Sequence, residues 1–234
     1  MIRYSRILEK NPREIILLKS RPCTWARCFF CDYIHDNCKD DLSIIEFNRK
    51  VLRNVVGDFK KLEVINSASV FELPKECLQD IKDIVYGKGI KELYFESHYM
   101  YRNKLQEIRD FFPDVDVKFK SGIETFHNDF RNNYLKKGVN FDSPQEVAAY
   151  FDSICLLVGI KGQTKEMVFQ DINLLLKYFE RGCINIYMKN STPVEVDPEL
   201  ISWFRKEYSY LESMDNIEIL WNNTDFGVGE KDEY

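Results

Sequence analysis

A chain of 234 residues with 44% hydrophobic and 30% charged side chains can bury a sizeable core, and its 10 glycines and 7 prolines exclude a collagen-like or low-complexity chain. The formal net charge of -5, from 33 basic and 38 acidic residues, works against the binding of large polyanions and so disfavours nucleic acid as a partner. No apolar run reaches the roughly 18 residues of a membrane span, and MIRYSRILEKNPREIILLKS lacks the apolar stretch and cleavage site of a signal peptide, so a cytoplasmic location is expected.

In chain order, the apolar run at 15–19 predicts a strand that ends in a loop at Ser20, Arg21 and Pro22. Helical spacing of Leu42, Ile45, Phe47, Val51, Leu52, Val55 and Val56 predicts a helix over 42–56, with Asp40 or Asp41 as its N-cap. Strands follow at 62–65 and 91–95, with helices at 75–86 and 103–112, the latter closed by Pro113. A strand at 115–119 precedes a helical stretch at 128–137 that Gly138 ends. A helix over 144–151 is marked by Ser143 as N-cap, Pro144 at the first helical position and Glu146 completing a capping box. The run at 154–158 suits a buried parallel strand. After it come a helix at 165–180, a strand at 183–188, a helix at 198–211 and a last strand or tail at 217–221. Such alternation predicts one parallel α/β domain, either doubly wound or a complete or partial barrel.

Seven cysteines are an odd number for a disulfide framework, and three of them, Cys23, Cys28 and Cys31, stand as C-x4-C-x2-C in RPCTWARCFFCDY. So short a loop can wrap three thiolates around one metal centre. Buried core cysteines, a zinc site completed by Cys38 or His35 in a non-catalytic interaction module, and a plant-type ferredoxin loop are the competing readings. A three-ligand cluster leaves one iron open, which is a catalytic arrangement. Cys38, Cys77, Cys155 and Cys183 are scattered and read mostly as core residues.

On this loop the chain resembles the radical S-adenosylmethionine superfamily. The usual spacing there is C-x3-C-x2-C, so one extra residue lies between Cys23 and Cys28, and Phe30 fills the aromatic place before the last cysteine. The resemblance implies a partial (β/α)6 TIM-like barrel with parallel strands, a single domain over 1–234, a cluster loop at 21–36 and a C-terminal segment, 212–234, covering the active site. Implied cofactors are a four-iron four-sulfur (4Fe-4S) cluster held by Cys23, Cys28 and Cys31, and S-adenosylmethionine, which yields a deoxyadenosyl radical. The implied electron donor is a flavodoxin or ferredoxin.

The resemblance extends to KSGIETFHNDFRNNYLKKG, 120–138, which is similar to a segment after the fourth strand of family members. It implies that Glu124 contacts polar groups of S-adenosylmethionine and that Arg131 holds its carboxylate. Asn66, Ser67, Ala68 and Ser69 match the loop whose backbone receives the methionyl amine. Glu96 is the candidate for the ribose hydroxyls, and Gly159 and Ile160, in VGIKGQT, for the adenine. All lie at predicted carboxyl ends of strands, where such folds gather their sites.

The opening RPCTWARCFFCDYIHD is most similar to members that salvage queuosine. That implies hydrogen removal from the cyclopentenediol ring of the free base queuine and cleavage of a C–N bond, releasing an aminomethyl-deazaguanine. A carboxy-deazaguanine synthase is the alternative within the superfamily. A deazapurine base offers an edge that Asn190, Asn222 or Asp225 can read by hydrogen bonds, and faces on which Trp25 or Tyr33 can stack. His35 and His98 are candidates for moving protons.

Overall fold

The computed structural model describes residues 1–229. It has two compact units: Met1–Ala26 with Tyr33–Phe119 and the residues from Thr224 onward, and Arg27–Asp32 with Lys120–Asn223.

In the first unit, β1 (Tyr4–Ile7) runs antiparallel to β2 (Arg13–Leu18), and β2, β3 (Lys61–Asn66) and β4 (Glu92–Glu96) are parallel. Helices α1 (Asp41–Leu52), α2 (Lys75–Lys88) and α3 (Leu105–Phe111) follow these three strands in turn. Asp40 caps α1 by accepting the Ser43 N–H at 2.9 Å. Asn48, fully buried on α1, accepts the Lys19 N–H and donates to the Lys19 carbonyl, which pins the end of β2 to the helix. Helix α1 stops at Leu52 rather than 56 because the Val56 and Gly57 N–H groups turn onto the buried Glu14 carboxylate, at 2.7 and 2.6 Å, with Gly57 at φ 88°. The helix expected over 103–112 begins as a 3-10 turn, Tyr99–Lys104, whose first residues His98 caps through the Met100 N–H.

The second unit carries the carboxyl half of β5 (Asp116–Glu124), then α4 (Pro144–Ala148), β6 (Ser153–Val158), α5 (Lys165–Tyr178), β7 (Arg181–Ile186), α6 (Pro198–Glu207) and β8 (Ile217–Leu220), all its strands parallel. Ser143 caps α4 by accepting the Glu146 N–H, while the Glu146 carboxylate accepts the Asp142 N–H at 2.9 Å, and the helix ends at Ala148. Strand β5 is longer than expected and shifts register between Gly122 and Glu124. The stretch 128–137 is not an α-helix: it holds a single π-helical turn, Phe130–Tyr134, closed by the Leu135 N–H on the Phe130 carbonyl. Arg131 accounts for the distortion. Its side chain is buried under the turn and donates to the Val139 carbonyl, the Thr125 carbonyl and Asn128 Oδ1.

Strand order follows chain order from β1 to β8. Six parallel strands, β2 to β7, each lead into helical structure, which makes the fold a partial (β/α)6 TIM-like barrel with β1 added before it and β8 after. Buried side chains include Ile15, Val64 and Phe95 in the first unit and Ile154 and Ile184 in the second, all 0% exposed. Among the described residues no helix is long and apolar enough to cross a membrane.

Candidate functional site

Cys23, Cys28 and Cys31 are free thiols, each half-buried, on the nine-residue loop after β2. Ala26 takes a left-handed backbone, φ 45°, and its N–H points to Cys23 Sγ at 3.5 Å. With its amide turned to suit its neighbours, Asn37 accepts the Cys23 N–H at 3.2 Å and donates to the Ser67 hydroxyl and carbonyl.

The second half of the loop is tied down more heavily. The Phe29 N–H donates to the Leu135 carbonyl at 2.8 Å, and the Phe30 carbonyl accepts from Asn190 Nδ2 at 2.8 Å. Asp32 accepts both the N–H and the hydroxyl of Ser191, each at 3.2 Å. The rings of Phe29 and Phe30 pack on buried Leu135, Leu157, Ile160, Tyr187 and Val194. Asn190 Oδ1 in turn accepts from the Tyr187 hydroxyl and from the Thr192 N–H and hydroxyl. Asn190 therefore spends its amide on the peptide between Cys28 and Cys31.

The donor set decides which metal group this loop fits. Three thiols on one loop, none of them in a disulfide, suit a sulfur-ligated iron cluster with an open iron. A closed zinc site needs a fourth ligand. Cys38 is turned elsewhere, its thiol toward the Asp40 carbonyl at 3.7 Å, and His35 is exposed on the 3-10 turn Tyr33–Asp36. Among the described residues no three Cys, His, Asp or Glu side chains are gathered as a preformed ion site.

In the first unit the carboxyl ends of β3 and β4 present a polar loop. Asn66 donates to the Ser69 carbonyl at 3.0 Å, while its Oδ1 is buried and accepts nothing. Ser67 meets the Ser20 hydroxyl at 3.2 Å, Ser69 donates to the Ser97 hydroxyl, and Ala68 is half-buried. Glu72 organises this region and was not singled out by sequence. Buried at 5% exposure, it accepts the Ser69 N–H, the Thr24 N–H and the Tyr101 hydroxyl. Burial and the Glu72 hydrogen bond push the Tyr101 hydroxyl up to about 12. Glu96 is the last residue of β4, half-buried, and Trp25 stacks on His98 with centroids 5.8 Å apart.

In the second unit Glu124 ends β5 with a left-handed backbone, φ 67°, and its buried carboxylate meets Lys137 Nζ at 2.7 Å. Gly122 makes room for this pair, since a Cβ there would lie 2.4 Å from Glu124 Oε1 and 3.0 Å from Lys137 Nζ. Arg131 uses its guanidinium to hold the 125–139 segment, so it acts on Glu124's surroundings through the loop. At Gly159, φ 101°, the N–H is taken by Gln163 Oε1 at 3.0 Å and the carbonyl by the Asp197 N–H at 2.7 Å. Gly159 and Ile160 thus offer a fixed surface more than spare backbone donors.

Of the residues singled out for the substrate, Tyr33 is exposed in its 3-10 turn, Trp25 and Asn190 are half-buried, and Asn222 and Asp225 are exposed after β8. Of the segment 212–234, residues 230–234 lie outside the described residues. Cys155 and Cys183 face each other in register across β6 and β7 as buried thiols, and burial, then the bond to Cys155, pushes the Cys183 thiol up.

No family model matches the chain. An uncharacterised protein of Methanocaldococcus jannaschii is 27% identical, the match covering 73% of this chain and 53% of that protein, so the chain spans about half the length of the curated relative it matches. The solved structure of queuine lyase from Clostridium spiroforme, bound to S-adenosylmethionine and queuine, superposes with a TM-score of 0.96 at 51% identity, covering 98% of this chain and 100% of that one. With half of all positions shared over both chains, and three thiols on the loop after β2 of a partial barrel, the chain belongs to the queuine lyase family of radical S-adenosylmethionine enzymes.

Proposed function

We propose that this chain is a queuine lyase, cleaving the C–N bond of the free base to release an aminomethyl-deazaguanine for queuosine salvage. The observation that carries the reading is the 51% identity, over nearly the whole chain, to a queuine lyase bound to S-adenosylmethionine and queuine. Cys23, Cys28 and Cys31 would hold a 4Fe-4S cluster, which with S-adenosylmethionine would supply the radical chemistry for hydrogen abstraction.

The chain's own residues hold and orient. Asn66, Ser67, Ala68 and Ser69 receive the methionyl amine, and the buried, unpartnered Asn66 Oδ1 is an acceptor suited to it. Glu96 takes the ribose hydroxyls and Glu124 the polar groups nearby. Gly159 and Ile160 form the surface for the adenine, Phe30 packs beside the cluster ligands, and Arg131 keeps the Glu124 segment in place. Trp25 and Tyr33 stack on the base, and Asn222 and Asp225 read its edge. Asn190 contributes by fixing the cysteine loop. The electron comes from a low-potential flavodoxin or ferredoxin, and the reaction takes place in the cytoplasm.

The test is anaerobic reconstitution followed by incubation with queuine, S-adenosylmethionine and a reductant. Formation of deoxyadenosine together with aminomethyl-deazaguanine is expected. Deoxyadenosine without loss of queuine, from protein with a full cluster, overturns the substrate.

A further inference from the structure

Lys137 lies just beyond the π-helical turn, in a position the proposed reaction does not yet use. Its Nζ is 2.7 Å from Glu124 Oε1 and 5.6 Å from the centroid of Phe30, the ring carried between Cys28 and Cys31. The side chain is only 12% exposed and that of Glu124 7%. The absence of a side chain at Gly122 leaves the space that the pair occupies. Lys137 is therefore an ion-paired ammonium held by Glu124 beside the ring that separates Cys28 from Cys31.

A cluster's reduction potential depends on its net charge, its solvent exposure and the charges and hydrogen bonds around its sulfurs. A cation in a poorly solvated setting favours the state with one more electron. We propose that Lys137, seated by Glu124 against Phe30, is a positioning residue that raises the reduction potential of the cluster on Cys23, Cys28 and Cys31, bringing it within reach of a flavodoxin or ferredoxin donor. The inference rests on the cluster reading above. The step is a one-electron transfer in which the donor is oxidised and the cluster reduced, with no bond made or broken.

The experiment reconstitutes the wild-type protein and the K137M, K137Q, K137R and E124Q variants under anaerobic conditions. Iron and sulfide are counted, and each cluster is titrated potentiometrically by electron paramagnetic resonance without S-adenosylmethionine. Leaving the cofactor out separates an effect on the cluster from contact with the cofactor. K137M is expected to shift negative by about 59 mV, equivalent to about a tenfold fall in the ratio of reduced to oxidised cluster at a fixed potential. K137R restores most of the wild-type value. E124Q removes the neighbouring anion, so its potential moves in the positive direction, which checks that charge at this position is sensed by the cluster. Equal midpoints for fully loaded wild-type and K137M proteins overturn the inference and leave the cluster reading intact. Wild-type protein that takes up no iron overturns both. If K137M assembles no cluster, K137Q decides: a negative shift supports the inference and an unchanged midpoint overturns it.

Discussion

Glu124 holds a locally costly conformation at the end of β5. A left-handed backbone at a non-glycine residue is disfavoured by about 1 kcal/mol or more. Here it turns the carboxylate off the end of β5 and onto Lys137. The cysteines divide by the same kind of local reading. Cys77 is fully buried against Asn48, and desolvation keeps its thiol protonated, whereas Cys23, Cys28 and Cys31 are half-buried on the loop. Alanine at Cys28 is expected to abolish iron incorporation, while Cys77→Ala keeps full iron and loses about 1–2 kcal/mol of stability. Iron counting and urea unfolding check both. The cysteine motif was legible in the sequence because its three residues are close together in the chain. Glu72 and Lys137 were not, since sequence alone shows neither the burial of Glu72 at 5% exposure nor the return of Lys137 to the cysteine loop.

Among the elements, the π-helical turn and the helix behind it are coupled through one buried acid. Asp171 on α5 is 2% exposed and accepts the Phe126 N–H at 2.7 Å. Burial pushes its carboxyl up to about 7, against the Phe126 N–H, the Thr125 hydroxyl and Arg131, which all pull it down. The folded chain therefore retains a proton that the unfolded chain gives up near pH 4. Stability should fall as pH rises from about 4 to about 7 and then level off, by at most roughly 1.4 kcal/mol per pH unit. Asp171→Asn is expected to flatten that slope, as read by urea unfolding at pH 5, 6, 7 and 8; an unchanged slope sinks the assignment. A second coupling runs from the segment after β7 to the cysteine loop. Asn190→Ala leaves the Phe30 carbonyl without its donor, at a cost of about 1–3 kcal/mol, and should lower iron loading while leaving the far-ultraviolet circular dichroism unchanged. Element boundaries were least legible where a side chain captures the backbone: Glu14 ends α1 early, and Arg131 replaces an expected helix with one π turn. Strand β1 gave little signal, because YSRI is only half-buried and lies before the first apolar run.

At the scale of the whole molecule, the strand–helix alternation was readable because each buried parallel strand is a short apolar run and each helix carries a separate periodic face. Placement of the site at strand ends follows from that architecture. The net charge of -5 carries a further expectation. Queuine presented as the free base should be cleaved at a rate unaffected by added tRNA at physiological salt, and tRNA containing queuosine should yield no product. Chromatography of the base products checks this, and release of aminomethyl-deazaguanine from the tRNA would show that a basic surface patch outweighs the overall charge.

The clasp between Asn190 and Phe30 joins positions 160 residues apart. During translation at about 5–20 residues per second, roughly 10–30 seconds separate the synthesis of its two halves. For that interval Cys28 and Cys31 stand on a segment that lacks its Asn190 anchor. Stable loading of iron and sulfide thus belongs after the second unit has been synthesised, and a nascent chain arrested before β7 should exchange its thiols freely with the surrounding metal pool.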